Sequence, residues 1–133
     1  MSELVIDASI VMASLLDDER QPIADKALRQ VGETGGLAPW LWQIETRNAL
    51  LSAERRGRAT DTRVDELLLE LKGLPIQTDG EQRLEEICLL ARTHKLSFYD
   101  ATYLELARRR RATLATLDSG LAKAALDEGV QLF

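Results

Sequence analysis

Short apolar runs alternate with longer stretches of helical periodicity along the chain. The runs LVI, GLAP, LPIQT, ATLATLD and VQLF predict strands, because each gathers apolar or β-branched residues. Between them, apolar residues recur three and four positions apart. This spacing predicts helices over residues 8–16, 22–32, 40–56, 61–72, 80–94, 97–110 and 119–128. Asp79 is the candidate N-cap of the helix over residues 80–94. Strands alternating with helices predict an α/β fold with a mostly parallel central sheet and helices on both faces.

Two of the predicted strands run directly into an aspartate. Asp7 follows LVI, and Asp118 ends LATLD. Ligands of parallel sheets bind beyond the carboxyl ends of the strands, so both aspartates fall where a site is expected. Taken alone, Asp7 is better explained as the N-cap of the helix that follows, and Asp118 is explained equally well in that way. Ser9, Thr116 and Ser119 flank them and could orient their carboxylates or serve only as local turn residues.

A third acidic residue, Glu45, lies in the helix predicted over residues 40–56. At about 100° per residue, it shares one stripe with several apolar residues that should face the core. That placement aims Glu45 and Asn48 inward, where a carboxylate needs a partner or a metal ion. The simpler alternative is a half-exposed Glu45 paired with an arginine, Arg47 or Arg55. The stripe consists of Leu41, Ile44, Glu45, Asn48 and Leu51.

The fourth acidic residue, Asp100, lies in SFYDATYLELA. Ser97 and Asp100 have the spacing of a capping box, and an acidic residue also suits the first turn of a helix. Its neighbours Phe98, Ala101 and Leu104 are apolar, however, which favours a partly buried position. Asp100 therefore has a structural and a functional interpretation.

The four acidic residues are more informative together than separately. The predicted topology can bring Asp7, Glu45, Asp100 and Asp118 to one edge of the sheet, where they would repel one another without a cation. Hard oxygen ligands without histidine or cysteine suit Mg²⁺ or Mn²⁺. Metal-assisted hydrolysis of a phosphodiester is the reaction that fits such a site.

Composition limits the other possibilities. A chain of 133 residues predicts one domain, spanning residues 1–133. One cysteine and one histidine exclude a disulfide framework and argue against thiol or histidine metal sites. No apolar run is long enough for a membrane span, so we expect a cytoplasmic protein. The net charge of −5 argues against broad, non-specific nucleic-acid binding. The run Arg108–Arg111 can compensate a helix C-terminus or contact RNA phosphates.

The motifs LVIDAS, IETRNAL, LSFYDATYLELA and LATLDSGL occur here in an order and spacing that resembles the PIN-domain nucleases. More narrowly, they resemble the VapC-type toxins of toxin–antitoxin pairs, over essentially the whole chain. The resemblance implies a three-layer α/β/α sandwich and a Mg²⁺- or Mn²⁺-dependent endoribonuclease that attacks RNA with a metal-bound water. It also implies a VapB-type antitoxin that blocks the site, and a homodimer.

The residues of this chain that match the family's motif positions are expected to form the same site. The resemblance implies that Asp7 and Asp100 are the most direct metal ligands. Glu45 would bind metal or order a water, and Asp118 would bind a second ion or act from farther away. Ser9 and Asn48 would support these residues by hydrogen bonding.

Two other functions remain open on the residues alone. A phosphatase or phosphotransferase could use Asp7 as its nucleophile, although the second aspartate usual two residues later is here Ser9. In a non-catalytic interaction module, the same carboxylates would serve only as helix caps.

Overall fold

A parallel four-stranded sheet forms the centre of the computed structural model, which describes residues 3–133. The strands are β1 (Leu4–Ile6), β2 (Gly36–Pro39), β3 (Ile76–Asp79) and β4 (Thr113–Ala115). Their order across the sheet is β3-β2-β1-β4, and each neighbouring pair is parallel. The predicted parallel sheet is therefore confirmed, and β1 and β4 are neighbours, so the residues that follow them lie at the same edge.

Seven α-helices within residues 3–133 connect and cover these strands. They are α1 (Ala8–Leu15), α2 (Pro22–Thr34), α3 (Leu41–Arg55), α4 (Asp61–Gly73), α5 (Leu84–His94), α6 (Phe98–Arg110) and α7 (Ser119–Asp127). The chain steps from β1 to β2 to β3 in one direction and then returns past β1 to β4. Because such crossovers are right-handed, the return places α5 and α6 on the face opposite α1–α4. The predicted three-layer α/β/α sandwich is confirmed. None of the described helices has the length and apolar character needed to cross a membrane.

The core is built around β1 and α6. All three residues of β1 are buried, with Val5 and Ile6 fully inaccessible. α6 packs across β1, β2 and β4, and its fully buried Ala101 and Ala107 allow close approach to the sheet. α6 is therefore held firmly at the centre of one layer, with its first turn near the edge where β1 ends.

The core-facing stripe predicted for α3 is wrong for Ile44, Asn48 and Leu51, whereas Leu41 does pack against the core. Ile44 is 50% exposed and Leu51 is 44% exposed, whereas Trp42, Thr46, Leu50 and Ala53 are buried. The predicted face counted aliphatic residues and gave Thr46 no weight. Thr46 can be buried because its hydroxyl donates to the Trp42 carbonyl, 2.8 Å away, which satisfies both groups.

Two further predictions need correction. The closing segment VQLF forms only an isolated bridge, between Leu132 and Leu114, instead of a full strand. The predicted helix start at residue 80, with Asp79 as its cap, is also wrong, because α5 begins at Leu84 after Arg83. Asp79 instead accepts from the guanidinium groups of Arg109 and Arg110.

Most of the arginine run at the end of α6 is engaged in ion pairs. Arg109 contacts Glu105 at 2.8 Å and Asp79 at 3.2 Å, with side chains that are largely inaccessible. Arg110 bridges Glu3 and Asp79. These contacts stabilise the end of α6 against the sheet, so they favour the structural interpretation of the run over an RNA contact.

Candidate active site

Asp7 lies at the carboxyl end of β1 and is only 5% exposed. Its carboxylate accepts from the Ile10 backbone N–H, 3.2 Å away, so Asp7 does cap α1. The hydroxyls of Ser9 and Thr116 donate to its two oxygens, one to each. Burial raises the pKa of Asp7 above its ordinary value, and these hydrogen bonds oppose that rise by stabilising the charged form.

The same two hydroxyls connect the end of β1 to the loop after β4. The Leu117 N–H donates to the Ser9 hydroxyl at 3.1 Å, and the Asp118 N–H donates to the Thr116 hydroxyl at 3.0 Å. Ser9 and Thr116 therefore fix the Asp7 carboxylate and the loop that carries Asp118 in one network. Thr116 is reached from Asp7 because β1 and β4 pair in register.

Asp118 is the N-cap of α7, and Asp100 lies in the first turn of α6. Asp118 is exposed and caps α7 by accepting from the Leu121 N–H at 2.8 Å. Ser97 caps α6 by accepting from the Asp100 N–H at 3.0 Å. The N-caps expected from the sequence are thus present. The cap of α6 occupies the Asp100 backbone N–H, while the half-buried Asp100 carboxylate lies close enough to Asp118 and Asp7 to be affected by their charges.

Glu45 lies in the second turn of α3 and is half-buried. Its carboxylate accepts a hydrogen bond of 2.6 Å from the Tyr103 hydroxyl of α6. Arg47, one of the two arginines predicted as an alternative partner, donates instead to Gln43 and Thr46. Arg55, the other, forms no ion pair within residues 3–133. Tyr103 is therefore the partner that holds Glu45.

The four carboxylates are close enough to influence one another's ionisation. Burial raises the pKa of Asp100, and the negative charges of Asp118 and Asp7 raise it further. Burial also raises the pKa of Glu45; the Tyr103 hydrogen bond lowers it, and the charges of Asp100 and Asp7 raise it. Within residues 3–133, no lysine or arginine forms an ion pair with any of the four. The site is therefore a region of uncompensated negative charge at the carboxyl edge of the sheet.

The chemical types of these donor groups fit a hard divalent cation, but the distances between the groups do not. The groups are carboxylates and hydroxyls, the oxygen donors that Mg²⁺ and Mn²⁺ prefer. Nevertheless, no three histidine, cysteine, aspartate or glutamate side chains of residues 3–133 form a ready-made group able to hold a metal ion. Asp7 and Glu45 are turned toward hydroxyl donors of the protein. A cation would have to draw the carboxylates closer together.

Of the four predicted supporting residues, two contact the acidic site and two do not. Ser9 and Thr116 donate hydrogen bonds to Asp7. Asn48 is exposed, so its predicted inward orientation is wrong, for the same reason that the α3 stripe is wrong. Ser119 is exposed at the start of α7, and among the described residues it hydrogen-bonds to none of the four carboxylates.

Tyr103 is the residue that the sequence reasoning missed. Its ring is 1% exposed, and burial together with the Glu45 hydrogen bond and charge raises the pKa of its hydroxyl far above the ordinary value. The hydroxyl therefore stays protonated and remains a donor. Its position three residues after Asp100, on the same side of a helix, was the available signal.

The geometry of Asp7 bears on the alternative chemistry. An aspartate nucleophile needs an oxygen that a substrate phosphorus can approach. Both oxygens of Asp7 accept hydrogen bonds from neighbouring hydroxyls, and the residue is buried. This arrangement suits a fixed charge better than an attacking group.

Comparison with known proteins identifies the class to which this fold and site belong. The PIN domain matches residues 4–126, so the chain belongs to the PIN-domain family. By its curated relatives it is a VapC-type member. It is 34% identical over 125 residues to Ribonuclease VapC3 of Pyrobaculum aerophilum, a match that covers 91% of this chain and 93% of that protein. It is 31% identical over 122 residues to Ribonuclease VapC3 of Mycobacterium tuberculosis, covering 92% and 87% of the two chains.

Solved structures agree on the fold. The crystal structure of PAE2754 from Pyrobaculum aerophilum matches with a TM-score of 0.70 at 24% identity, covering 98% of this chain and 89% of that one. FitAcB from Neisseria gonorrhoeae matches with a TM-score of 0.68 at 15% identity, covering 98% and 96%. The three-layer architecture is thus shared with proteins of quite different sequence.

Proposed function

We propose that this protein is a Mg²⁺- or Mn²⁺-dependent endoribonuclease toxin whose activity a cognate antitoxin inhibits. The observation that carries the proposal is the set of four mutually repelling carboxylates, Asp7, Glu45, Asp100 and Asp118, at the carboxyl edge of a PIN-domain sheet. Its relatives named ribonucleases support RNA as the substrate. The proposal treats residues 1–133 as one nuclease domain that acts in the cytoplasm.

A divalent cation would be held by Asp7 and Asp100, with Glu45 and Asp118 completing the site. When bound, such an ion lowers the pKa of water and neutralises charge that develops on a phosphodiester. Binding would also remove the repulsion that now raises the pKa values of Glu45 and Asp100. That relief supplies part of the free energy needed to draw the carboxylates together.

The protein's own groups have separate tasks around that cation. Ser9 and Thr116 hold the Asp7 carboxylate in one orientation and stabilise its charged form, which opposes the rise of its pKa caused by burial. The capping bonds at Ser97 and Asp118 fix the first turns of α6 and α7, so their carboxylates sit on rigid backbone. Asp118 is the most exposed of the four and faces the solvent from which RNA would enter.

The proposed partners follow from the same charge distribution. Carboxylates that have no lysine or arginine partner are complementary to an incoming arginine, which makes charge-assisted hydrogen bonds with them. A VapB-type antitoxin that inserts an arginine here would occupy the cation's place and so inhibit cleavage. A homodimer of the toxin is also part of the proposal, as implied by the family.

The proposal is tested with antitoxin-free protein and total cellular RNA. Reactions contain Mg²⁺, Mn²⁺ or a chelator, and the fragment ends are mapped by sequencing. We expect discrete fragments with either ion and none with the chelator. Cleavage that persists with the chelator would contradict metal dependence, and a trapped phosphorylated Asp7 would support the phosphotransferase alternative. If folded, metal-saturated protein leaves all RNA intact, the proposed general ribonuclease activity is wrong.

A further inference from the structure

The hydrogen bond between Tyr103 and Glu45 joins the two helices that carry acidic residues to the site. Tyr103 belongs to α6 and Glu45 to α3, 58 residues apart in sequence. The donor and acceptor lie 2.6 Å apart, in the normal range for a hydroxyl and a charged oxygen. The contact therefore determines where the Glu45 carboxylate lies relative to α6.

Without this bond, little would keep Glu45 inside the site. Its side chain is half-buried, and the charges of Asp100 and Asp7 repel it. A carboxylate in that position gains hydration and loses repulsion by turning toward solvent. Among residues 3–133, Glu45 accepts no other side-chain or backbone hydrogen bond. Among the hydrogen bonds of these described residues, only the one from Tyr103 opposes the outward rotation.

Tyr103 is well placed to act as a rigid donor. Its ring is fully packed in the core, so the hydroxyl has little freedom to move. It follows Asp100 by three residues, so α6 presents a carboxylate and a hydrogen-bond donor on neighbouring positions of one side. One helix thus sets the positions of two acidic groups, one directly and one through the hydroxyl.

We infer that Tyr103 is a positioning residue that fixes one oxygen of Glu45 and leaves the other directed toward the divalent cation. The inference rests on the proposed function, because it needs a cation at this site. A buried tyrosine whose hydroxyl merely found a nearby acceptor would have no influence on metal affinity. Metal affinity therefore separates the two explanations.

The test is a titration with Mn²⁺, followed by electron paramagnetic resonance of the free ion, on wild-type protein and Tyr103→Phe. Phenylalanine keeps the buried ring and removes only the hydroxyl. Loss of a group that orients a metal ligand typically weakens metal binding 10- to 100-fold. We expect a fall of about tenfold for Tyr103→Phe, by the lower end of that range. The chain has two tyrosines, and Tyr99→Phe is the matched control, because Tyr99 lies on α6 but is 59% exposed.

A second pair of variants keeps the test decisive. In Glu45→Gln protein, Tyr103→Phe should cause no further loss of affinity, because the group that it positions has lost its charge. Glu45→Asp shortens the side chain and withdraws the carboxylate from Tyr103, so it should also weaken Mn²⁺ binding while the core remains intact. Circular dichroism of each variant in chelator verifies the fold, and Glu45→Asp decides the outcome if Tyr103→Phe does not fold.

The outcomes separate the inference from the function on which it rests. Wild-type protein that binds no Mn²⁺ contradicts both. Wild-type binding together with unchanged affinity in either folded Tyr103→Phe or Glu45→Asp overturns the positioning role and leaves the proposed nuclease intact. An equal loss in Tyr103→Phe with and without Glu45→Gln also overturns it, because the effect would then not pass through Glu45.

Discussion

Thr116 offers a sharp test of how the Asp7 carboxylate is maintained in the folded protein. Its hydroxyl donates to one oxygen of Asp7 and accepts from the Asp118 N–H at 3.0 Å. Thr116→Val replaces that hydroxyl by a methyl group of similar size. The substitution therefore removes both hydrogen bonds with little change in packing volume.

The expected cost follows from the two bonds. A hydrogen bond to a charged group contributes about 1.5–3 kcal/mol, and a bond to a partly exposed backbone N–H contributes less. We expect metal-free Thr116→Val to lose about 2–3 kcal/mol of unfolding free energy at pH 7.5. For a chain of this length, that loss lowers the unfolding temperature by roughly 7–11 °C.

The loss should also depend on pH, with a sign that the structure fixes. Burial already raises the pKa of Asp7, and removal of the Thr116 donor raises it further. The folded variant then binds a proton more readily than the folded wild type. Its stability deficit is therefore largest at high pH and shrinks as pH falls through the raised pKa of Asp7.

Chemical denaturation in chelator at several pH values between 4.5 and 8 measures this deficit. Thr93→Val is the matched control, because Thr93 is exposed on α5 and should tolerate the change within about 0.5 kcal/mol. A deficit that is equal at all pH values would show that Thr116 does not act through the charge of Asp7. No deficit at all would contradict the hydrogen bonding described here.

Two other substitutions test the electrostatics in different parts of the molecule. Metal-free Asp100→Asn should have a larger free energy of unfolding than wild type at pH 7.5, because the pKa of Asp100 is raised in the folded state. The gain should shrink as pH falls through that raised pKa and vanish below the ordinary aspartate pKa, and denaturation at pH 7.5 and in acid measures it. A gain that persists in acid would refute this reasoning. Arg109→Met should lower the free energy of unfolding by about 3 kcal/mol, because it leaves the buried Glu105 carboxylate without its cation. Its Mn²⁺ affinity at 25 °C should not change, because Arg109 lies about 13 Å along α6 from Asp100. Weakened Mn²⁺ binding in folded Arg109→Met would contradict that separation.

The predicted site residues that the structure brings together are those whose position depends on topology. Asp7 and Asp118 follow adjacent parallel strands, and alternating strands and helices already predict a parallel sheet whose carboxyl ends lie at one edge. Asp100 was recognised by its motif at the start of a helix. In each case the backbone delivers the carboxylate to the edge, so local sequence carried enough information.

The sequence was less informative where side chains choose partners across the fold. The face of α3 was misassigned because Thr46 is buried with its hydroxyl hydrogen-bonded to a carbonyl of its own helix, while Ile44 is exposed. Asp79 was mistaken for a cap because its arginine partners lie 30 and 31 residues away. Tyr103 was missed because its contact with Glu45 depends on the packing of two layers. Such pairings are set by tertiary packing, which periodicity does not describe.

The central claim is that the acidic edge binds a divalent cation and that this binding enables RNA cleavage. Its most direct test measures Mn²⁺ affinity and RNA cleavage together in wild type, Asp7→Asn, Asp100→Asn and the control Asp65→Asn, an exposed carboxylate on α4. We predict that both properties fall together in Asp7→Asn and Asp100→Asn and stay at wild-type levels in Asp65→Asn. Folded Asp7→Asn and Asp100→Asn proteins that still bind Mn²⁺ and cleave RNA like wild type would contradict the account.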